Sequence, residues 1–535
     1  DTAGPIEVES TLPSGPTAYP TLSAAFAAIN AGTHQGAINV EVCANSTETA
    51  ATVLNSSGAG SANYTSISIR PLVDGVTISG PTVSGRGLIE LNGADNVTID
   101  GDNPNTVGTN RNLAITNTAA TATTYTSVIR IALATSIVTS ADNVIIRNLA
   151  IKGSATSRNG STFTSTTGAE TNTYGILASA GASTVSATTA PSTVTSITST
   201  IGSPATASNL QISNNSITSA GRGVSIQGGA TTVFPGLQIS NNTIGNSTIG
   251  NADGVYTNGI GVNGSANALI SGNSVSVEGW LPSSSSANNQ AVYVGTISSS
   301  TTGATIENNY VIKAMNNNSG GYPAIGINLG GGNSHVVRNN FVRGVMNIPN
   351  GTFSTTFGAF GIRIGTGTGH TIFHNSVFMS GDLTGNTGTA LTSALGIVTT
   401  SSTGMSILNN ILGNIQTQTS AAVPSGSSFV SLYLPTGATG SMNLTLNNND
   451  YYTGGAVNNG VGQVGATSGS GLYTAANFDP TTTTPASNLR SYTSPLSAAL
   501  TNDNASKKVD PIFVSATDLH IQSSSTMESA GANAG

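Results

Sequence analysis

Residues 209–229 read NLQISNNSITSAGRGVSIQGG, and residues 237–250 read LQISNNTIGNSTIG. In both, an Asn-Asn pair interrupts a stretch in which apolar and polar residues alternate. Asn is disfavoured within strands and favoured in turns, so a strand–Asn-Asn–strand pattern marks a corner. The pattern returns as ATIENNYVIK (304–313), HVVRNNFVRG (335–344), HTIFHNSVFM (370–379) and MSILNNILGN (405–414), with ALISGNSVSV (268–277) as a further copy.

Aligned on the apolar residue before each corner, the anchors are Ile212, Ile239, Ile270, Ile306, Val337, Ile372 and Ile407, at intervals of 27, 31, 36, 31, 35 and 35 residues. Three residues after each anchor stands an Asn: Asn215, Asn242, Asn273, Asn309, Asn340, Asn375 and Asn410. Between corners lies a second recurring strand, seen in GRGVSIQG, NGIGVNG, QAVYVGT, AIGINLG and AFGIRIG. A period-two repeat of this length, with several short strands and no helical periodicity, predicts a stacked solenoid. The fold class expected is all-β: a right-handed parallel β-helix with one strand of each coil in each of three sheets, about 4.8 Å between coils. The aligned Asn residues then form a ladder, each amide bonding the next.

Composition agrees. Charged residues make up 7% of the chain, against about 25% in ordinary soluble proteins. In a stack, like side chains meet one coil apart, so like charges repel and neutral Ser, Thr and Asn are favoured. The net charge of −7 and pI near 5.1 leave no basic patch for nucleic acid. No apolar run of about 18 residues is present to span a membrane. Cys43 is the single cysteine, so no disulfide forms within the chain; it is read as a buried residue of the strand INVEVCAN. Beginning at Asp1 without Met, the sequence is expected to be a processed product or a fragment.

Three regions are expected. Residues 1–18 form an extended N-terminal segment. Residues 19–36 hold a capping helix, with Thr21 as N-cap, Leu22, Ala25, Phe26 and Ile29 on one face, and Gly32 at the end. Residues 37–535 form the β-helix, with long Ser/Thr-rich loops around 153–208.

The stretches YPTLSAAFAAINAG, NYTSISIRP, LIELNGADNVTIDG, the Asn-corner coils and DPIFVSATDLHIQSSS resemble the repetitive β-helix region of large secreted bacterial surface proteins, which are similar to pectate lyases in fold. The resemblance covers nearly the whole chain. It implies an extracellular or cell-surface location. Most members of that group have no known activity, and they often continue into a C-terminal secretion or anchoring domain.

Polysaccharide-cleaving β-helices need paired acids, or calcium beside a base. Between Val144 and Asn449 the acids are Glu170, Asp253, Glu278, Glu307 and Asp382, at non-equivalent repeat positions. Arg338, Arg343 and Arg363 are close in repeat position but have no Asp beside them. The chain is therefore read as a non-enzyme, with no catalytic residue and no cofactor. Asp100, Asp102 and Asn103 in DGDNPN are a candidate calcium site, against the plainer reading of a polar turn. His370 and His374 are spaced to share a strand face, but His374 stands where other coils carry Asn. Trp280, Tyr451 and Tyr452 are read as loop-packing residues or sugar-stacking ones.

Without a site, function falls to the architecture. The leading expectation is an extracellular structural protein, a subunit of a filament, sheath or surface layer joined head to tail. The alternatives are a surface adhesin that binds carbohydrate and a polysaccharide lyase or hydrolase. The connector expected for self-association is PIEVEST, where Ile6 and Val8 share one face and would add to the open edge of a neighbour's last coil. No comparable cap is expected at the C-terminal end.

Overall fold

The computed structural model describes residues 4–120, 123–133, 140–154, 173–180, 191–195, 205–229, 234–279, 288–295, 301–317, 321–349, 351–419 and 426–532. Most of the Ser/Thr-rich stretch around 153–208, and Trp280, lie outside these. The chain divides into two compact units, residues 1–273 with 297–301, and 274–296 with 302–535. Each is built of three-strand coils, and the fold is a right-handed parallel β-helix.

In the first unit the short strands Ile145–Arg147, Gln211–Ser213, Gln238–Ser240 and Leu269–Ser271 pair in parallel, with Ile146, Ile212, Ile239 and Ile270 in register. In the second, Thr305–Glu307, Val336–Arg338, Thr371–Phe373, Ser406–Leu408 and Thr445–Asn447 do the same, aligning Ile306, Val337, Ile372, Ile407 and Leu446. Every one of these apolar residues is fully buried, which stabilises each coil by roughly 2 kcal/mol. We call this the first sheet of each unit. The strands after the Asn corners form the second sheet, and the Gly-flanked strands form the third.

The two Asn of each corner have different roles. The first takes the left-handed backbone conformation: φ is 54° at Asn214, 56° at Asn241, 54° at Asn308 and Asn339, 57° at His374 and 58° at Asn409. Asn and Gly enter this region most readily. Gly272 fills the position in its own coil (φ 67°), where an added Cβ would lie 2.3 Å from the Asn241 amide oxygen. The second Asn points inward and builds the ladder. In the first unit Asn242 Oδ1 accepts the Asn215 backbone N–H and side-chain amide, both at 3.0 Å, and Asn273 serves Asn242 likewise. In the second unit the same bonds run from Asn309 through Asn340, Asn375 and Asn410 to Asn449.

A second left-handed residue stands five positions before the first. It is Asn209, Gly236 and Asn267 in the first unit, and Gly303, Ser334, Gly369, Gly404 and Asn443 in the second. Two such bends bracket the first-sheet strand of each coil and hold it to three residues.

The N-terminal region departs from expectation. Strand β1 (Ile6–Leu12) pairs antiparallel with β2 (Thr17–Tyr19) and with β3 (Gln35–Val42), placing Ile6 opposite Val42 and Val8 opposite Val40. Ile6 and Val8 are fully buried within their own chain, so the expected connector is already taken. It covers the chain's own first edge because Val40 and Val42 offer an apolar register there. Helix α1 (Leu22–Asn30) has Thr21 as its N-cap and buries Leu22, Ala25, Phe26 and Ile29. The Glu48 carboxylate receives the Leu22 and Ser23 N–H groups at 3.0 and 2.9 Å. Asn30 donates to the Val53 carbonyl and accepts from Asn55 N–H, both at 2.9 Å, satisfying the strand Thr52–Asn55 at its edge.

The C-terminal end is also covered, contrary to expectation. Strand Asn459–Val464 receives the antiparallel Leu472–Tyr473. Helix α2 (Leu489–Thr493) brings Leu489 against Gly462. The last first-sheet strand bonds residues 496–503: Leu444 N–H to the Leu496 carbonyl (2.9 Å), Leu446 N–H to the Asn502 side chain (3.0 Å) and Asp503 N–H to the Leu446 carbonyl (2.7 Å). Tertiary return of an irregular segment, rather than a regular element, completes this edge.

Candidate functional site

The strands of the second sheet of the second unit each begin with an outward residue followed by an inward one. Val311, Val342, Val377 and Leu412 point inward and are fully buried. Their neighbours Tyr310, Phe341, Ser376 with Phe378, and Ile411 with Gly413 are therefore outward; Tyr452 follows on the next coil. An outward stripe this rich in rings needs a cover or a ligand.

The cover is residues 509–532. After Lys507 the chain turns back along the outer face. Phe513 meets Phe378 edge-to-face at 5.4 Å between ring centres, and His520 meets Phe341 at 4.7 Å. The Tyr310 hydroxyl donates to the Thr517 carbonyl. A turn at 515–518 doubles the segment into a hairpin, with Val514 N–H on the His520 carbonyl and Gln522 N–H on the Ile512 carbonyl. Asn409 then grips Ala532, donating to its carbonyl and accepting its N–H.

Two clefts lie between this strap and the sheet. One, about 360 Å³, is bounded by Phe341, His374, Ser376 and Ile411 and by the strap's His520 and Met527. The other, about 430 Å³, is bounded by Phe378, Ile415 and Tyr452 and by Asp510, Ile512 and Phe513. Gly413 lies between the Phe378 and Tyr452 rings; a Cβ there would sit 2.9 Å from the first and 3.4 Å from the second, so glycine keeps the slot between them open.

Asp510 lines this second cleft, and a second acid, Asp450, is buried beneath Val509 behind it. The Tyr452 hydroxyl donates to Asp510 at 3.4 Å. Asp450 is buried, with one oxygen accepting Val509 N–H at 2.8 Å and the other without a partner. Burial, with the Asp510 charge nearby adding to it, pushes the Asp450 carboxyl up to about 7. Inside the coil, burial likewise pushes Asp503 up to about 6, while hydrogen bonds from Tyr451 and Ser506, both 2.7 Å, hold it in place. Asp510 is thus the acid that faces the cleft, with Asp450 standing behind it.

The residues singled out from sequence are dispersed. Arg338, Arg343 and Arg363 lie on the first, second and third sheets. Arg338 pairs with Glu307 at 2.7 Å, and Arg343 sits 5.2 Å over the Tyr310 ring. Asp100 pairs with Arg147 and accepts the Asn148 amide, both at 2.7 Å. Asp102 accepts Asn110 N–H, and the Asn103 amide donates to Asp74. Among the described residues no group of three or more His, Cys, Asp or Glu is arranged to hold a metal, and no helix is long and apolar enough to cross a membrane. His370 is buried and stacks on His335 with ring centres 4.8 Å apart. Its Nδ1 accepts His335 N–H and its Nε2 faces the Thr366 carbonyl, both at 3.2 Å. His374 takes the corner and bonds Asn409. Tyr451 is fully buried; Tyr452 faces the cleft.

No protein-family model matches the sequence, and no curated protein matches it. Solved structures resemble the fold. The Dettilon tailspike protein is 14% identical, with 84% of this chain aligned to 65% of that one at a TM-score of 0.44. DFA-IIIase from Arthrobacter chlorophenolicus A6, in complex with GF2, is 12% identical over 84% of this chain and 94% of its own, at a TM-score of 0.39. The mannuronan C-5 epimerase A-module from Azotobacter vinelandii is 13% identical over 75% and 94%, at 0.25. The non-enzyme reading is corrected here: two of these structures are named as enzymes, and the acids that reading weighed are not all the acids of the chain. Asp450 and Asp510 lie beyond the stretch from Val144 to Asn449 on which that reading rested.

Proposed function

We propose that the chain handles carbohydrate outside the cell and holds a neutral glycan in the cleft between Phe378, Tyr452 and Phe513. The observation that carries this reading is the pair of rings held apart by Gly413, with Asp510 at their edge. Flat apolar faces with one or two convergent polar groups suit a sugar ring, whose C–H faces stack on aromatics while its hydroxyls donate to a carboxylate. The Asp510 charge disfavours acidic sugars at the same place. Affinity electrophoresis against a panel of neutral and acidic polysaccharides tests this. At least one neutral glycan should retard the protein, and Tyr452→Ala should abolish the retardation; unchanged retardation of that variant contradicts the site.

Cleavage of the bound glycan is the second reading, favoured by Asp510, the acid that faces the cleft. It predicts new reducing ends from the retarded glycan and their loss in Asp510→Asn. A filament, sheath or surface-layer subunit has weaker support. End-to-end joining by strand addition needs open edges, and both the β3 edge and the last first-sheet strand bond within the chain.

A further inference from the structure

We infer that the distal part of the strap, residues 517–532, is displaceable and lies in the extension of the glycan site, and that a long linear glycan extends from the cleft along the stripe to Tyr310 when this part lifts and residues 509–516 stay in place. This rests on the reading of the Phe378–Tyr452 cleft as a glycan site.

The strap follows the coils one at a time. Phe513 lies on Phe378, His520 on Phe341 of the adjacent coil, and Thr517 at Tyr310 of the coil beyond. Its rings stand where stacked sugar rings of a linear chain would stand, because one coil rise of about 4.8 Å is close to the length of one sugar in an extended glycan. The stripe beneath continues without a break, since Tyr310 and Phe341 meet edge-to-face at 6.3 Å.

The strap is thinly held. Leu519 is its one fully buried large apolar side chain, while Val514 to Thr517 and Gln522 to Ser524 are exposed. Within it, Phe513 and Ile521 are joined by an isolated bridge and not a ladder. Segments with few buried contacts open well below the free energy of global unfolding. A ligand that binds only the open form shifts that equilibrium by its differential affinity.

The test uses the full chain, with a protease site placed in the exposed turn at Ala516–Thr517 and cleaved after folding, alongside an uncut Leu519→Ala/His520→Ala chain. Titration calorimetry with short and long oligomers of the retarded glycan gives the readout, and size-exclusion chromatography follows assembly. Expected is a gain in affinity of tenfold or more for the long oligomer in both altered forms, with the short oligomer unchanged. Equal gains for both lengths, no gain, or weaker binding overturn the strap as a lid while leaving the cleft intact. Dimers formed by the altered chains without tighter glycan binding also overturn it, because the stripe then serves a second copy. If no form binds any glycan, the cleft reading itself fails and the inference with it.

Discussion

Asn375 shows how much one side chain does in this stack. Its amide donates to the Val337 carbonyl and to Asn410, both at 2.9 Å, and its oxygen accepts the Asn340 N–H and amide at 3.1 and 2.9 Å. Asn375→Ala leaves the buried Asn340 N–H without its acceptor and removes the bonds to the Val337 carbonyl and to Asn410, and chemical unfolding should record a loss of roughly 1–3 kcal/mol. Ile372→Asp places an unpaired charge in the apolar column and should lose more. At the neighbouring corner, His374→Asn should be neutral, whereas His374→Val forces a β-branched residue to φ near 57° and should lose about 1–2 kcal/mol. The second Asn of each pair and the Ile column were legible in the sequence because each is nearly one letter per coil at a fixed offset. The earlier bend was not. Asn209, Gly236 and Ser334 share only a tolerance of the left-handed region, so no letter repeats.

At the scale of elements, two groups respond to pH in opposite directions. His335 is buried in a column with His370, and burial followed by the charge of His370 pushes it down to about 4; His370 is lowered by burial too. The unfolded chain takes up these protons near pH 6.5, so stability is complete above that pH and falls as pH drops towards 4, by about 3 kcal/mol for His335. Asp450 and Asp503 are raised, so the stability tied to their protonated forms is present below about pH 4 and is lost as pH rises through 6 to 7. Hydrogen exchange should therefore show residues 503–510 opening above pH 7, and Asp503→Asn, which keeps an acceptor for Tyr451, should reduce that opening. Deleting residues 1–12 bares Ile38, Val40 and Val42 of β3. Light scattering should then show association, not its loss, since an exposed apolar edge pairs with other chains. The strand character of PIEVEST was legible from its alternation. Its partner was not, because an edge strand reads the same whether it pairs at home or abroad.

For the molecule as a whole, the corners from Asn215 to Asn410 followed from the repeat, while the further coil at Leu446 and the candidate site did not. Parity alone marks Tyr310 and Phe341 as outward-facing residues. Nothing local connects them with Asp510, Phe513 and His520, which arrive only because the chain returns over the second sheet after its last coil. The acid that faces the cleft, Asp510, lies beyond the regular repeats. The most direct measurement is hydrogen exchange with and without a bound neutral oligosaccharide. The cleft reading predicts slowed exchange confined to residues 376–380, 411–415, 450–453 and 509–516. Slowing on the outer face of the third sheet instead, or none at the cleft despite measured binding, would contradict it.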